Sequence, residues 1–218
     1  HYVPEASGSG IQEVEGAMAG SRQVRWARVL PVKFLGGIAS IGSGLVLGRE
    51  GPTIHIAASV AAMCSDFARA GRTERAGLLA AGAAAGLACA FNAPVAAILF
   101  VIEETRREFP YTYRTYMGVI GASLLATIAT EWIGGVAPDM SLSATAPALR
   151  TLPLFALLGC VLGGVGVLLN SAVLRALAFA GTTQTRAPYL YPAVVGCVIG
   201  ALMVLYPQSV TGGESLVR

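Results

Sequence analysis

The stretch Gly48-Arg49-Glu50-Gly51-Pro52 sets an arginine and a glutamate between two apolar runs, with glycine on either side and proline closing it. Proline is well placed in the first turn of a helix, so Pro52 to about Phe67 reads as a helix whose free N–H groups and positive dipole end lie beside Glu50. A helix start of this kind is a ready anion site, and Glu50 is itself an anion able to occupy it. The plain alternative is a pair of loop charges satisfying one another. A second candidate is Gly8-Ser9-Gly10, ahead of a short amphipathic segment; Ser9 could cap that helix, and a hydroxyl at a helix start also binds anions. Glu13 and Glu15 follow, and Lys33, inside the next apolar run, is expected to find its structural partner in one of them. A third is Glu103-Glu104, at the end of a helical arm, where acids oppose the macrodipole unless something requires them. One acid near an anion site and another at the cytoplasmic side suggest a proton route. His55 reads as a packed histidine rather than a proton carrier.

The elements that must position these residues belong to a membrane protein. Of 218 residues, 55% are hydrophobic and 12% charged, and the mean hydropathy is +0.66, far from the roughly 25% charged residues of soluble domains. Apolar runs cover 29–47, 52–64, 76–104, 115–136, 151–180 and 188–206, with no strand-type alternation, so the expectation is all-α. Eleven of the 15 basic residues fall in four connections, around Arg22–Arg28, Arg69–Arg75, Arg106–Arg114 and Arg175–Arg186. The positive-inside rule makes those connections cytoplasmic and 130–150 external. Between the first two clusters the chain must leave and return, yet the arm from Pro52 to Phe67 is only about 24 Å long against a bilayer core of about 30 Å. Glu50 therefore belongs at membrane depth. Run 76–104 also goes out and back, breaking at Phe91-Asn92-Ala93-Pro94, and broken helices at depth point to a transport site.

Other functions find less support. The net charge of +3 and the lack of basic stretches interleaved with aromatics exclude a nucleic-acid surface. Cys64, Cys89, Cys160 and Cys197 lack metal-ligand spacing and read as small buried hydrophobes. GxxxG recurs at Gly82/Gly86, Gly159/Gly163 and Gly196/Gly200, a helix-packing signal. An intramembrane hydrolase is the rival from another class, but GxSxG and HExxH are missing. The opening His-Tyr-Val-Pro carries no signal peptide and suggests a segment of a longer protein.

Together, Gly8-Ser9-Gly10-Ile11-Gln12, Gly48-Arg49-Glu50-Gly51-Pro52 and residues 80–104 resemble the CLC family of chloride channels and chloride/proton antiporters. The similarity is specific over 4–108 and looser beyond. It implies a CLC-type fold of broken, re-entrant and tilted helices in inverted repeats: most of the first repeat in 1–136, an external loop at 137–150, and the start of the second repeat in 151–218. It implies two selectivity-filter stretches, 8–12 and 48–52, with Ser9 as hydroxyl ligand of chloride and Gly48, Arg49 and Gly51 as contributors beside it. Glu50 becomes the gating and external proton-transfer glutamate, Glu104 the internal one and Glu103 its neighbour. The implied protein is a multi-pass homodimer of the plasma (inner) membrane that exchanges chloride for protons without a cofactor, or else a passive, voltage-gated chloride channel. Gln12 departs from the family's proline, and the chain ends at Thr211–Arg218, before the third signature and the central tyrosine.

Overall fold

The computed structural model describes residues 3–45, 47–135 and 149–206. Apart from two single turns of 3₁₀ helix, at Pro4–Ala6 and Leu149–Thr151, all its regular structure is α-helical. The helices are α1 (Ile11–Met18), α2 (Trp26–Gly42), α3 (Glu50–Phe67), α4 (Arg72–Phe91), α5 (Pro94–Thr105), α6 (Tyr113–Gly134), α7 (Leu152–Arg186) and α8 (Leu190–Leu205). Helices α1 to α6 form one compact unit, and α7 with α8 a second.

Helix α4 is the centre of the first unit, packed chiefly on α3 and α6. Its alanines and glycines make this possible: Leu79, Ala80, Ala84 and Ala88 are fully buried. At Gly82 an added Cβ would stand 2.7 Å from the Ala57 carbonyl, and at Gly86 it would stand 2.7 Å from that of Thr53. Small residues thus bring α4 against the α3 backbone, where dispersion rather than the hydrophobic effect holds helices together in lipid. Only one of the three GxxxG pairs is used in this way. The glycines of the other two, on α7 and α8, meet nothing within 4 Å.

The predicted break after Phe91 is present. Asn92 takes a left-handed φ of 49° as the C-cap of α4, Ala93 leaves helical geometry with ψ of 77°, and Pro94 opens α5. At about 1.5 Å per residue α5 is only about 18 Å long, too short to cross a bilayer core. Helices α4, α6 and α7 are each long and apolar enough to cross.

Two expectations need correction. Arg175 does not lie in a basic loop, because α7 runs unbroken for 35 residues to Arg186. It stops at Ala187, which precedes Pro188 and is thereby biased away from helical geometry. The four cysteines are exposed rather than buried. Apolar composition alone does not mark an inward side, and Cys89 meets α6 laterally, accepting from the Thr130 hydroxyl at 3.3 Å and donating to the Ala126 carbonyl at 3.7 Å. The expected external loop at 137–150 lies outside the described residues up to 148, as does the segment from 207 onward.

Candidate functional site

The first signature is a turn that only glycine can build. Gly8 and Gly10 have φ of 65° and 90°, in the region that L side chains rarely adopt, and they flank Ser9. The N-cap of α1 is Gly10, one residue later than expected. Ser9 sits just upstream with its Oγ accepting from the Ile11 N–H at 3.4 Å. The Gly10 side is closed by the His55 ring, which occupies the space any Cβ would take. His55 is fully buried, as a packed histidine should be, and neither ring nitrogen has a hydrogen-bond partner among the described residues.

Lys33 holds this turn from below. It is 6% exposed and donates to the carbonyls of Ala6 at 3.1 Å and Gly8 at 2.6 Å. Neither Glu13 nor Glu15 is its partner, which corrects the expected ion pair. Glu13 bonds Arg22 instead, and the carbonyls freed by the left-handed turn offer the ammonium a closer acceptor. One positive charge therefore lies directly under the Ser9 loop.

The second signature meets the first. Arg49 is the N-cap of α3 and Glu50 its first residue, two positions earlier than Pro52 led one to expect. The first intrahelical bond is Thr53 N–H to the Arg49 carbonyl at 3.1 Å, and Pro52 has no N–H. This leaves the amides of Glu50 and Gly51 as helix-end donors. Gly51 is pressed on Ser9, since a Cβ there would stand 2.7 Å from the Ser9 Cβ and 2.8 Å from its carbonyl. The Glu50 carboxylate folds back over Gly48, its Oε2 occupying the place of a Gly48 side chain.

A cleft of about 780 Å³ follows, whose lining includes Gly8, Ser9, Lys33, Gly48, Glu50 and Gly51. Ile11 and Pro52 also reach it. Gly10 is buried behind it, while Gln12 and Arg49 are exposed and do not line it. Two helix starts, a buried ammonium and a serine hydroxyl thus converge on one space. Among the described residues, the only carboxylate in its lining is that of Glu50.

Glu103 and Glu104 are placed elsewhere, exposed in the last turn of α5. Thr105 beside them is buried and shares a 2.6 Å hydrogen bond with the Tyr111 hydroxyl, whose pKa burial raises. The neighbour that sequence reasoning missed is Glu15. Burial, and then the like charges of Glu104 and Glu108, hold its carboxyl above the usual range. Helix α1, too short to cross a membrane, thus carries the Ser9 turn at one end and approaches a second group of acids with its body.

Fold and site define a polytopic helical membrane protein with a cleft between paired helix starts. The family described as voltage gated chloride channel matches residues 1–218, and the chain belongs to it. Among curated relatives, the H+/Cl− exchange transporter ClcA of Vibrio cholerae serotype O1 is 47% identical over 221 residues, covering 99% of this chain and 47% of that protein. ClcA of Salmonella paratyphi B is 42% identical over 222 residues, with the same coverage. Among solved structures, the crystal structure of a slow cyanobacterial Cl−/H+ antiporter matches with a TM-score of 0.91 at 32% identity, covering 98% of this chain and 51% of that one. The chain spans about half the length of the curated relatives it matches. The expected CLC-type helical fold is thereby established.

Proposed function

We propose that the protein moves chloride across a membrane in exchange for protons, with Glu50 as the gate. The observation that carries this is the Glu50 carboxylate at the first position of α3, folded over Gly48 in the cleft that Ser9 and Lys33 also line. An ionised Glu50 and a chloride ion compete for the same helix ends, because like charges in a poorly solvated space repel far more strongly than in water. Protonation removes the competitor and loads the side chain with the proton to be exchanged. Ser9 and the Gly51 amide offer donors to chloride, Gly48 lets the backbone come close, and Arg49 adds positive potential from the rim.

Glu104 is the internal proton-transfer group in this scheme, supported by its proximity to Glu15 and Glu108. A group of acids at the end of α5 and on α1 suits a proton entrance from the cytoplasm. The relatives named as H+/Cl− exchangers support exchange over passive conduction. The protein works as a homodimer in the plasma (inner) membrane, a reading supported by broad apolar surfaces such as Leu124, Leu125 and Ile128 of α6.

The test is paired chloride and proton flux from vesicles holding the full-length protein. Glu50→Gln is expected to abolish proton movement while chloride still passes; unchanged stoichiometry overturns the gate. Glu104→Gln should stop protons alone, and continued proton pumping removes it from the route. A reversal potential that ignores a pH gradient in the wild type would instead mean a channel.

A further inference from the structure

A second cleft, of about 830 Å³, lies where the start of α2, the end of α3 and the start of α4 meet. Arg22, Arg25, Arg28, Arg72 and Arg75 line it together with Trp26. Three of these arginines have acids of their own. Arg22 pairs with Glu13, Arg75 with Asp66, and the Arg25 Nε lies 3.9 Å from Glu5. The other oxygen of Asp66 accepts from the Trp26 indole N–H at 2.9 Å, so both oxygens of that carboxylate are engaged. Arg28 and Arg72 have no acid within ion-pair distance among the described residues.

Their positions make this imbalance informative. Arg72 is the first residue of α4 and Arg28 the third of α2. A cation in the first turn of a helix opposes the macrodipole, so both arginines stand where an anion, not a cation, is favoured. Gly20, at φ 75°, makes room for the Arg72 guanidinium, which fills the place of its side chain. The turn after α1 is therefore shaped around a guanidinium that meets no carboxylate. After local pairing, the cleft keeps two surplus positive charges and two helix starts.

The flank of the cleft is apolar. Phe67 is 76% exposed and stands 6.0 Å from Trp26, ring centre to ring centre. Beyond Trp26, α2 continues with Val32, Phe34 and Leu35 exposed. Trp at the head of a lipid-facing helix marks the depth of the headgroups, and surplus arginine beside it attracts anionic lipid. We propose that this cleft binds the phosphate of an anionic phospholipid of the cytoplasmic leaflet, with Arg28 and Arg72 as its ligands and Trp26 and Phe67 against the upper acyl chains. Guanidinium suits the task through paired N–H donors to phosphate oxygens.

The experiment is native mass spectrometry of the full-length protein in neutral detergent, titrated with phosphatidylglycerol, phosphatidylcholine or inorganic phosphate. Wild type is expected to bind phosphatidylglycerol in preference to phosphatidylcholine, and millimolar inorganic phosphate is expected not to displace it. The double variant Arg28→Gln/Arg72→Gln should weaken phosphatidylglycerol binding by about thirtyfold, at about 1 kcal/mol for each arginine. Arg28→Lys/Arg72→Lys keeps the charge but gives up the paired donors and should weaken binding less than the glutamine pair does; the single Arg28→Gln, at about fivefold, serves where the double glutamine variant does not fold. Equal binding of the two lipids, an affinity unchanged in the glutamine variant or lost equally in the lysine variant, or displacement by inorganic phosphate would each overturn the proposal.

Discussion

Glu15 binds protons more readily in the folded protein than in the unfolded chain, because burial and its acidic neighbours raise its pKa above 4.5. Stability at such a group is fully present below the unfolded pKa and is lost as pH rises through the folded one. Glu15→Gln removes that loss. Its thermal midpoint is expected to exceed the wild-type value at neutral pH, by an amount that solvent screening at this partly exposed site keeps small, and to converge with it toward pH 4. Scanning fluorimetry across that range checks the prediction, and parallel curves would show that folding does not raise the Glu15 pKa. Gly10 and His55 form a second residue-scale pair. Gly10→Ala meets both an unfavourable φ and the imidazole, at a cost of about 2 kcal/mol or more, of which the backbone share is about 1–2. In a His55→Ala background the steric share should vanish, so a double-mutant cycle is expected to show a coupling of about 1 kcal/mol.

At the scale of elements, the α3–α4 contact positions the cleft of the proposed anion site, since α3 carries Glu50 and Gly51 and packs on α4. Gly86→Leu would drive a side chain into the Thr53 carbonyl and the Ala57 methyl. Overpacking of this kind costs about 1–3 kcal/mol, here read as a lowered thermal midpoint of the full-length protein. Under the proposed function the same change should also slow chloride flux, because α3 must shift to make room. What the amino-acid order disclosed at this scale was local in origin. Asn92, Ala93 and Pro94 break the chain by their own backbone preferences, and Gly8 and Gly10 permit a left-handed turn at little cost. What stayed hidden depended on partners distant in sequence. Lys33 found carbonyls, which carry no sequence signal, and the influence of the acids near the end of α5 on Glu15 depends on the folded path of the helices between. The cysteines and two GxxxG pairs misled for another reason: in a helix apolar on all sides, composition does not say which face is inward.

At the scale of the molecule, charge fixes orientation and the apolar surface fixes surroundings. Helix α7 has no buried side chain among its described residues, and neither has α8. The basic connections nonetheless give a topology that can be checked. With the four exposed cysteines replaced by serine, Gln23→Cys and Arg107→Cys are expected to resist a membrane-impermeant maleimide in intact cells, whereas Ile133→Cys should react. Labelling of the first two from outside would invert the assignment and place Glu104 on the wrong side for an internal proton route. The cleft on the cytoplasmic flank would then face the opposite leaflet.

The contact between Gly51 and Ser9 leaves no space for even one added carbon, so the two signature loops share a fixed frame. Under the proposed function, the moving part at this junction is then the Glu50 side chain turning about its own single bonds. Side-chain rotations take picoseconds to nanoseconds, whereas domain motions take microseconds or longer. A gate of that construction is mechanically fast. The pace of exchange would be set by how often a proton reaches the carboxylate, and a solvent isotope effect on turnover is where that waiting time should register.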